Sequence, residues 1–315
     1  LGDYQARLRR DGMKSPGFAQ VIREILREQK VSRVTVPAHF PLGLARELKK
    51  LGIKAKPSNG NFFPEREIKS PKEAAAIREG NRLCALGYVV AEGILAASTI
   101  RGRQLLSGGK VLTSERLRFA IESAIMAEGG HAGGSTIVAG GDQACDPHHR
   151  GAGPLRPGEL IIIDIFPRVA TTGYYGDMTR TYLRGRASDA QRRLVATVRE
   201  AQLAALGMIR AGVDGRAVHQ RVNETFTNAG FATRRTKNGS VGFFHGTGHG
   251  LGLAVHEMPR MGGLTSMTLK KGAVVTVEPG LYYPGLGGCR FEDVVQVTDR
   301  APTMLSKHPY NWELP

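Results

Sequence analysis

The sequence predicts an α+β fold: one large domain behind a small α/β segment. Three observations carry this reading. Strong helix-start signals are interleaved with short strand signals, and the strands follow one another mainly as hairpins rather than through crossovers. The chain, 315 residues long and 41% hydrophobic, is also able to bury a sizeable core.

Taken in order, Phe18, Val21, Ile22, Ile25 and Leu26 recur at spacings of three and four, so residues 18–30 read as a helix. Val31–Pro37 reads as a short strand, and Leu42–Leu51 as a second helix ended by Gly52. Ser70-Pro71-Lys72-Glu73 is a helix start: Ser70 caps, Pro71 suits the first helical position, and Glu73 completes a capping box. The long helix that follows runs to about Ala97. The domain boundary is placed just before it, giving units of 1–67 and 68–315. Another helix spans about Ser114–Ala127. Ser188 with Gln191 opens a capping box whose helix runs to about Ile209, and Asp214 caps a helix ending near Gly230. Strands are predicted at Thr136–Ala139, Leu160–Phe166, Tyr175–Leu183, Ala273–Glu278 and Cys289–Thr298. The sequence has no repeat and no low-complexity segment.

The net charge is +16, and residues 1–70 carry 15 Lys and Arg against 7 Asp and Glu, half of the excess. These basic residues alternate with acids along the expected helices and never form a run of five or six. That pattern reads as a solvated basic surface rather than a nucleic-acid face. Cys84, Cys145 and Cys289 are odd in number and far apart. They form no disulfide framework or zinc-finger spacing and favour a reducing, cytoplasmic setting. No stretch of 18 apolar residues is present, so no membrane partner is expected. Asn223-Glu-Thr225 and Asn238-Gly-Ser240 match the glycosylation pattern, but no secretion signal opens the chain. The chain begins at Leu1 rather than Met, consistent with residues preceding it.

Chemistry concentrates in three places. In Leu160-Ile-Ile-Ile-Asp164-Ile-Phe166 a carboxylate sits inside an apolar run, where burial without a partner is expensive. Asp177 follows 13 residues later. A hairpin turning near Ala170–Thr171 sets Asp164 opposite Asp177, with Cβ atoms roughly 4.5–5.5 Å apart. Two like charges that close destabilise the fold unless a cation stands between them. The arrangement recurs at Glu278 and Glu292, whose midpoint is Gly285 in a Pro-Gly turn. A salt bridge to Arg180 or Arg290 would account for one such acid at a strand end, but not for two matched pairs. Four carboxylates in one pocket suit two divalent cations. The third place is His245-Gly-Thr-Gly-His249-Gly-Leu-Gly-Leu-Ala-Val-His256. Its alternating glycines argue against a helix, and no helix follows as in a dinucleotide fingerprint. It reads as extended, tightly packed backbone that places three imidazoles around a pocket. His148 and His149 lie in a polar loop ahead of the Asp164 strand and, taken alone, read as surface residues.

Together these residues carry a resemblance. The Asp164/Asp177 pair, His-Gly-Thr-Gly-His249-Gly, Val-Glu278-Pro-Gly and Arg290-Phe-Glu292-Asp resemble the pita-bread metallopeptidases over residues 68–300. That family includes methionine aminopeptidase, aminopeptidase P, prolidase and creatinase. The His-Gly-Thr-Gly-His and Val-His-Glu wording is closer to the proline-specific branch, and residues 1–67 resemble part of a creatinase-type N-terminal domain. The resemblance implies two divalent ions, Mn²⁺ or Co²⁺. Asp164 would hold one, His249 and Glu278 the other, and Asp177 and Glu292 would bridge them. It further implies a hydroxide between the ions as nucleophile, His256 on the scissile carbonyl, and Glu278 as proton shuttle. His245, His148 and Arg290 would bind substrate. The implied substrates are short peptides with proline in second position, cut by an aminopeptidase or dipeptidase that forms a homodimer.

One departure stands out. Asp164-Ile-Phe-Pro167 replaces the family's Asp-x-Gly, and the spacing to Asp177 is two residues longer; an even insertion keeps both acids on one face. Two other readings remain open: methionine aminopeptidase-type activity, and a binding module on the same scaffold that has lost its metal and serves nucleic-acid or protein partners. Such modules lose the ligand set, which this chain keeps.

Overall fold

The structure, a computed structural model, describes residues 1–132, 136–237 and 239–315. Asn238, the acceptor of one glycosylation match, lies outside the described residues. The chain divides into two compact units, Leu1–Glu65 and Arg66–Pro315; the sequence placed that division at 67/68.

In the first unit the helices Phe18–Glu28 and Leu42–Lys50 flank a parallel pair of strands, Arg33–Val36 and Lys54–Pro57. Ala19, Leu48 and Ile53 are buried at its centre, with Ile22, Leu26, Val34 and Leu44 packed around them. The helix Gly2–Arg10 was not anticipated. It buries only Leu8, so it has no apolar period to announce it.

The second unit begins with the helix Pro71–Ala97. Both halves of its capping box are formed: Ser70 Oγ accepts from Glu73 N–H (3.3 Å), and Ser70 N–H donates to the Glu73 carboxylate (2.8 Å). Ser114–Ala127 packs beside it. Asp189–Met208, with its Ser188/Gln191 box, pairs with Gly215–Asn228, capped by Asp214. Each helix pair backs a sheet. Leu83, Tyr88, Ile121 and Ile125 bury Ile161, Ile163, Ile165 and Met178. Leu194, Val198, Val218 and Phe226 bury Val275, Val277 and Val295.

The first sheet has the order Glu313–Leu314, Met178–Arg184, Ile161–Ile165, Ile137–Gly140, antiparallel except for the C-terminal strand. The second has the order Glu257–Met261, Gly248–Gly250, Val274–Val277, Asp293–Gln296, Thr303–Met304, and is antiparallel throughout. Helices backing mainly antiparallel sheets are the α+β architecture expected from the sequence.

Two hairpin expectations met different outcomes. Val277 pairs with Asp293, and Gly280 with Arg290, so Glu278 and Glu292 face each other about a turn at Gly285, as anticipated. The predicted strand Cys289–Thr298 is broken in two, whereas Ala273–Glu278 forms as Val274–Val277 and is followed by a strand the sequence did not announce, Gly280–Tyr283. Val274–Val277 and Gly280–Tyr283 form one arm, and Gly287–Arg290 and Asp293–Gln296 the other.

The first hairpin is a correction. Asp164 pairs with Thr179 and Met178 with Ile165, so Asp177 stands two residues from the place facing Asp164. Three contacts displace it. Arg168–Val169 leaves the hairpin to pair with Gly130–His131. Gly176 packs against the backbone of Gly80 so closely that neither has room for a side chain. Asp177 N–H donates to Asn81 Oδ1 at 3.1 Å. The slip is even, so both acids stay on one face.

Candidate metal centre

The hairpin of the second sheet opens at its acid pair, and this opening assembles the site. Glu278 N–H donates to Thr247 O at 2.8 Å, and Glu292 N–H donates to Thr179 O at 3.1 Å. At this register the two N–H groups point away from each other, one to the histidine segment and the other to the first acidic hairpin. Pro279, which has no N–H, follows directly. The histidine segment comes close because it is glycine there: a Cβ on Gly248 would strike Thr276 O, and one on Gly250 would strike Met258 O.

Asp164, Asp177, His249 and Glu292 are buried, and the Glu278 side chain is 18% exposed. Ligand atoms of Asp177, His249 and Glu292 all lie within 4.8 Å of one another. His249 Nε2 is 3.2 Å from Glu278 Oε1 and 3.7 Å from Asp177 Oδ2. Its Nδ1 contacts Gly250 O at 3.0 Å, which fixes that nitrogen as the N–H and turns Nε2 to the acids. Asp164 Oδ2 accepts from Arg290 Nη2 at 2.8 Å, whereas Asp164 Oδ1 is buried without a hydrogen-bond partner among the described residues. Glu292 Oε2 accepts from Thr179 Oγ1 at 2.8 Å.

Crowding like charges out of water shifts their titration. Burial raises the Asp164 carboxyl, opposed by Arg290. Burial, then the Asp164 charge, holds Asp177 well above the ordinary range. Glu292 is raised well above it by burial and then by Asp177. Glu278 behaves differently: burial would raise it, but the hydrogen bond and charge of His249 hold it at about 2. Four carboxylates facing one arginine and one imidazole lack positive charge. With the orphaned Asp164 oxygen and the oriented Nε2, the donor set fits divalent ions that prefer oxygen with one nitrogen.

These groups line a cavity of about 1230 Å³, together with His148, His245 and His256. The His256 ring stands edge-on to His249 with centroids 4.4 Å apart. Burial lowers His245 and His256 to about 4 each, so both are neutral imidazoles at pH 7. His148 is exposed at the cavity wall and His149 is not among its lining residues. Arg290 is buried and divides its guanidinium among Asp164, Tyr282 OH (3.0 Å) and Thr179 (3.3 Å), so it balances charge in the site's interior as well as lining the cavity. The salt-bridge reading weighed for a single acid thus holds for Asp164, while Arg180 pairs instead with Asp293.

Three groups here escaped the sequence reading. Thr179 lies two residues past Asp177 on the same strand face, a signal that strand period would have given. Tyr282 OH bridges Arg290 and His245 (2.8 Å), and His219 reaches Thr247 Oγ1 at 3.0 Å from a helix and lines the cavity. Neither carries a local motif.

Two helix-backed sheets holding an oxygen-rich donor set in a cleft define a pita-bread metalloprotein. The chain belongs to metallopeptidase family M24, whose profile matches residues 75–299. Among curated relatives, it is 35% identical over 191 residues to a probable dipeptidase PepE of Mycobacterium tuberculosis, covering 60% of this chain and 48% of that one. It is 33% identical over 173 residues to a Xaa-Pro dipeptidase of Pyrococcus furiosus, covering 55% and 47%. The match thus spans about half the length of these relatives. Among solved structures, a dipeptidase from Pyrococcus horikoshii superposes with a TM-score of 0.80 at 30% identity, covering 95% of this chain and 79% of that one. A Xaa-Pro dipeptidase from Bacillus anthracis gives 0.80 at 25% identity, covering 99% and 84%.

Proposed function

We propose that the chain is a metal-dependent exopeptidase that hydrolyses the Xaa-Pro bond of short peptides. The observation that carries it is the convergence of Asp164, Asp177, His249, Glu278 and Glu292 around one cavity, with one Asp164 oxygen unpartnered. Two divalent ions, Mn²⁺ or Co²⁺, would be held by Asp164 on one side and by His249 and Glu278 on the other. Asp177 and Glu292 would be shared between them. When bound, the ions supply Lewis acidity and lower the pKa of water towards neutrality.

The chain's own groups do the rest. His256, neutral at pH 7 and open to the cavity, donates to the scissile carbonyl oxygen as charge develops there. Glu278, kept ionised at its Oε1 by His249, takes a proton and delivers it to the leaving proline nitrogen. His245 and His148 bind substrate at the wall. Phe244, 37% exposed, lines the cavity and offers an apolar ring face suited to a proline ring. The relatives' names, dipeptidase and Xaa-Pro dipeptidase, support the substrate class. The same reading takes the protein to be a cytoplasmic homodimer. Three free cysteines fit that setting, and among the described residues no helix is long and apolar enough to cross a membrane.

The test is hydrolysis of Ala-Pro, Ala-Pro-Pro and Met-Ala, before and after EDTA and on adding back Mn²⁺. Cleavage of the proline peptides that is lost with EDTA and returns with Mn²⁺ supports the reading. Cleavage unchanged by complete metal removal, or confined to Met-Ala, rejects it.

A further inference from the structure

A buried ion cluster beside the cavity has no part in the chemistry proposed above. The Glu257 side chain is 7% exposed and the Lys69 side chain 2% exposed, with Lys69 Nζ 3.2 Å from Glu257 Oε2. Arg66 pairs with the other oxygen, Glu257 Oε1. The Lys69 backbone is fixed as well: its N–H donates to Gly272 O at 2.9 Å, and its carbonyl accepts from Gln296 Nε2 at 3.3 Å. Two charges this deep in the protein persist only as partners.

What the cluster holds is the turn before His256. Ala254 N–H donates to Glu257 Oε1 at 2.9 Å, and Gly252 N–H donates to Ala254 O at 3.1 Å. The turn closes directly over the carboxylate, for a Cβ on Gly252 would lie 2.6 Å from Glu257 Oε2. Tyr175 N–H donates to Gly252 O at 2.9 Å and pins the other side. His256 leaves this turn with its ring edge-on to His249. We infer that Lys69, with Arg66, is a positioning residue for His256. The two cations hold Glu257, Glu257 holds the Gly252–Ala254 turn, and the turn sets where the His256 ring stands in the cavity. The inference rests on the peptidase reading for the role of His256, but not for its placement.

The experiment is a double-mutant cycle with a spectroscopic arm. K69M, H256A and K69M/H256A are assayed on Ala-Pro with Mn²⁺ present. A misplaced catalytic group costs on the order of 10- to 100-fold in rate. K69M is therefore expected to lower kcat by that factor with KM changed little, and to cost nothing further in the H256A background. Equal losses in both backgrounds would mean general damage and would overturn the inference. In the metal-free protein, the His256 ring signal, assigned by its absence in H256A, is followed by ¹H–¹³C NMR. A shift of that signal in K69M, with His308 unmoved, supports positioning. An unmoved His256 signal, or one that moves together with every other histidine, overturns it. R66A, at the more exposed end of the cluster, carries both arms if K69M does not fold. Absence of any proline-peptide cleavage by the wild type would sink the peptidase reading alone, and the NMR arm would still decide the placement.

Discussion

Stripping and reloading the metal is expected to change both the stability of the protein and the direction in which that stability depends on pH. Asp164, Asp177 and Glu292 are all raised above the ordinary carboxylate range in the folded chain, by burial first. An acid raised on folding contributes stability that is fully present below its unfolded pKa of about 4 and is lost as pH rises through the folded value. His245 and His256, lowered to about 4, oppose this up to their unfolded pKa of about 6.5; above it only the acids act, and the stability of the metal-stripped protein falls as pH climbs from about 7 towards 8. Ions binding the ionised carboxylates reverse this, because at high pH they have no protons to displace. A ligand at 100 times its Kd stabilises by about 2.7 kcal/mol. For the 250 residues of Arg66–Pro315, at roughly 2–4 °C per kcal/mol, Tm should rise by about 5–11 °C at pH 8, and by less at pH 5.5. Thermal melts with EDTA and across a Mn²⁺ titration read this directly. Glu292→Gln should raise the stripped protein's Tm at pH 8 by removing a buried like charge, yet lose most of the Mn²⁺ gain. A stripped protein that grows more stable between pH 7 and 8, or a Mn²⁺ shift unchanged in E292Q, would refute the reasoning.

Other perturbations follow from the same geometry. His256→Ala should lower kcat on Ala-Pro by on the order of 10²–10³-fold, with Tm nearly unchanged, as steady-state kinetics beside a melt would show. Arg290→Met leaves Asp164 without the partner at 2.8 Å, and breaking a buried pair costs about 3–5 kcal/mol. Chemical denaturation of the metal-stripped variant should show that loss, and a loss below about 1 kcal/mol would mean Asp164 is protonated there. Gly248→Ala drives a Cβ into Thr276 O and should cost about 3 kcal/mol, the upper end of overpacking, while weakening Mn²⁺ retention through His249.

How much of this was legible in the sequence depended on how local the controlling contact is. The capping boxes at Ser70 and Ser188 were readable because donor and acceptor lie three residues apart. Glu278 and Glu292 were placed opposite each other because a single tight turn at Gly285 fixes their register. The Asp164 hairpin defeated the same argument. Its register is set by Gly80 and Asn81, which meet Gly176 and Asp177 from a helix 96 residues earlier in the chain. Strand spacing holds no record of such a contact. His219 and Tyr282 went unseen for a related reason: each reaches the cavity through packing between elements, and neither residue type at its position announces it.

The break in the second hairpin shows why a strand pattern alone could not deliver the site. Read by period two, Ala273–Glu278 and Cys289–Thr298 are ordinary paired strands, whose next bonded rung past Val277–Asp293 would fall at Pro279 and Phe291. In the folded chain that rung is missing beside the two acids, because Pro279 has no N–H to give. Their N–H groups bond Thr247 and Thr179, and the ladder resumes on both sides, at Val277–Asp293 and at Gly280–Arg290. Buried backbone donors have to be satisfied somewhere. By taking their partners from two other segments, the two acids bind the histidine strand and the Asp164 hairpin to one point. The outward-pointing peptide groups of the two acids thus help bring five donor side chains from three segments of chain to a common centre.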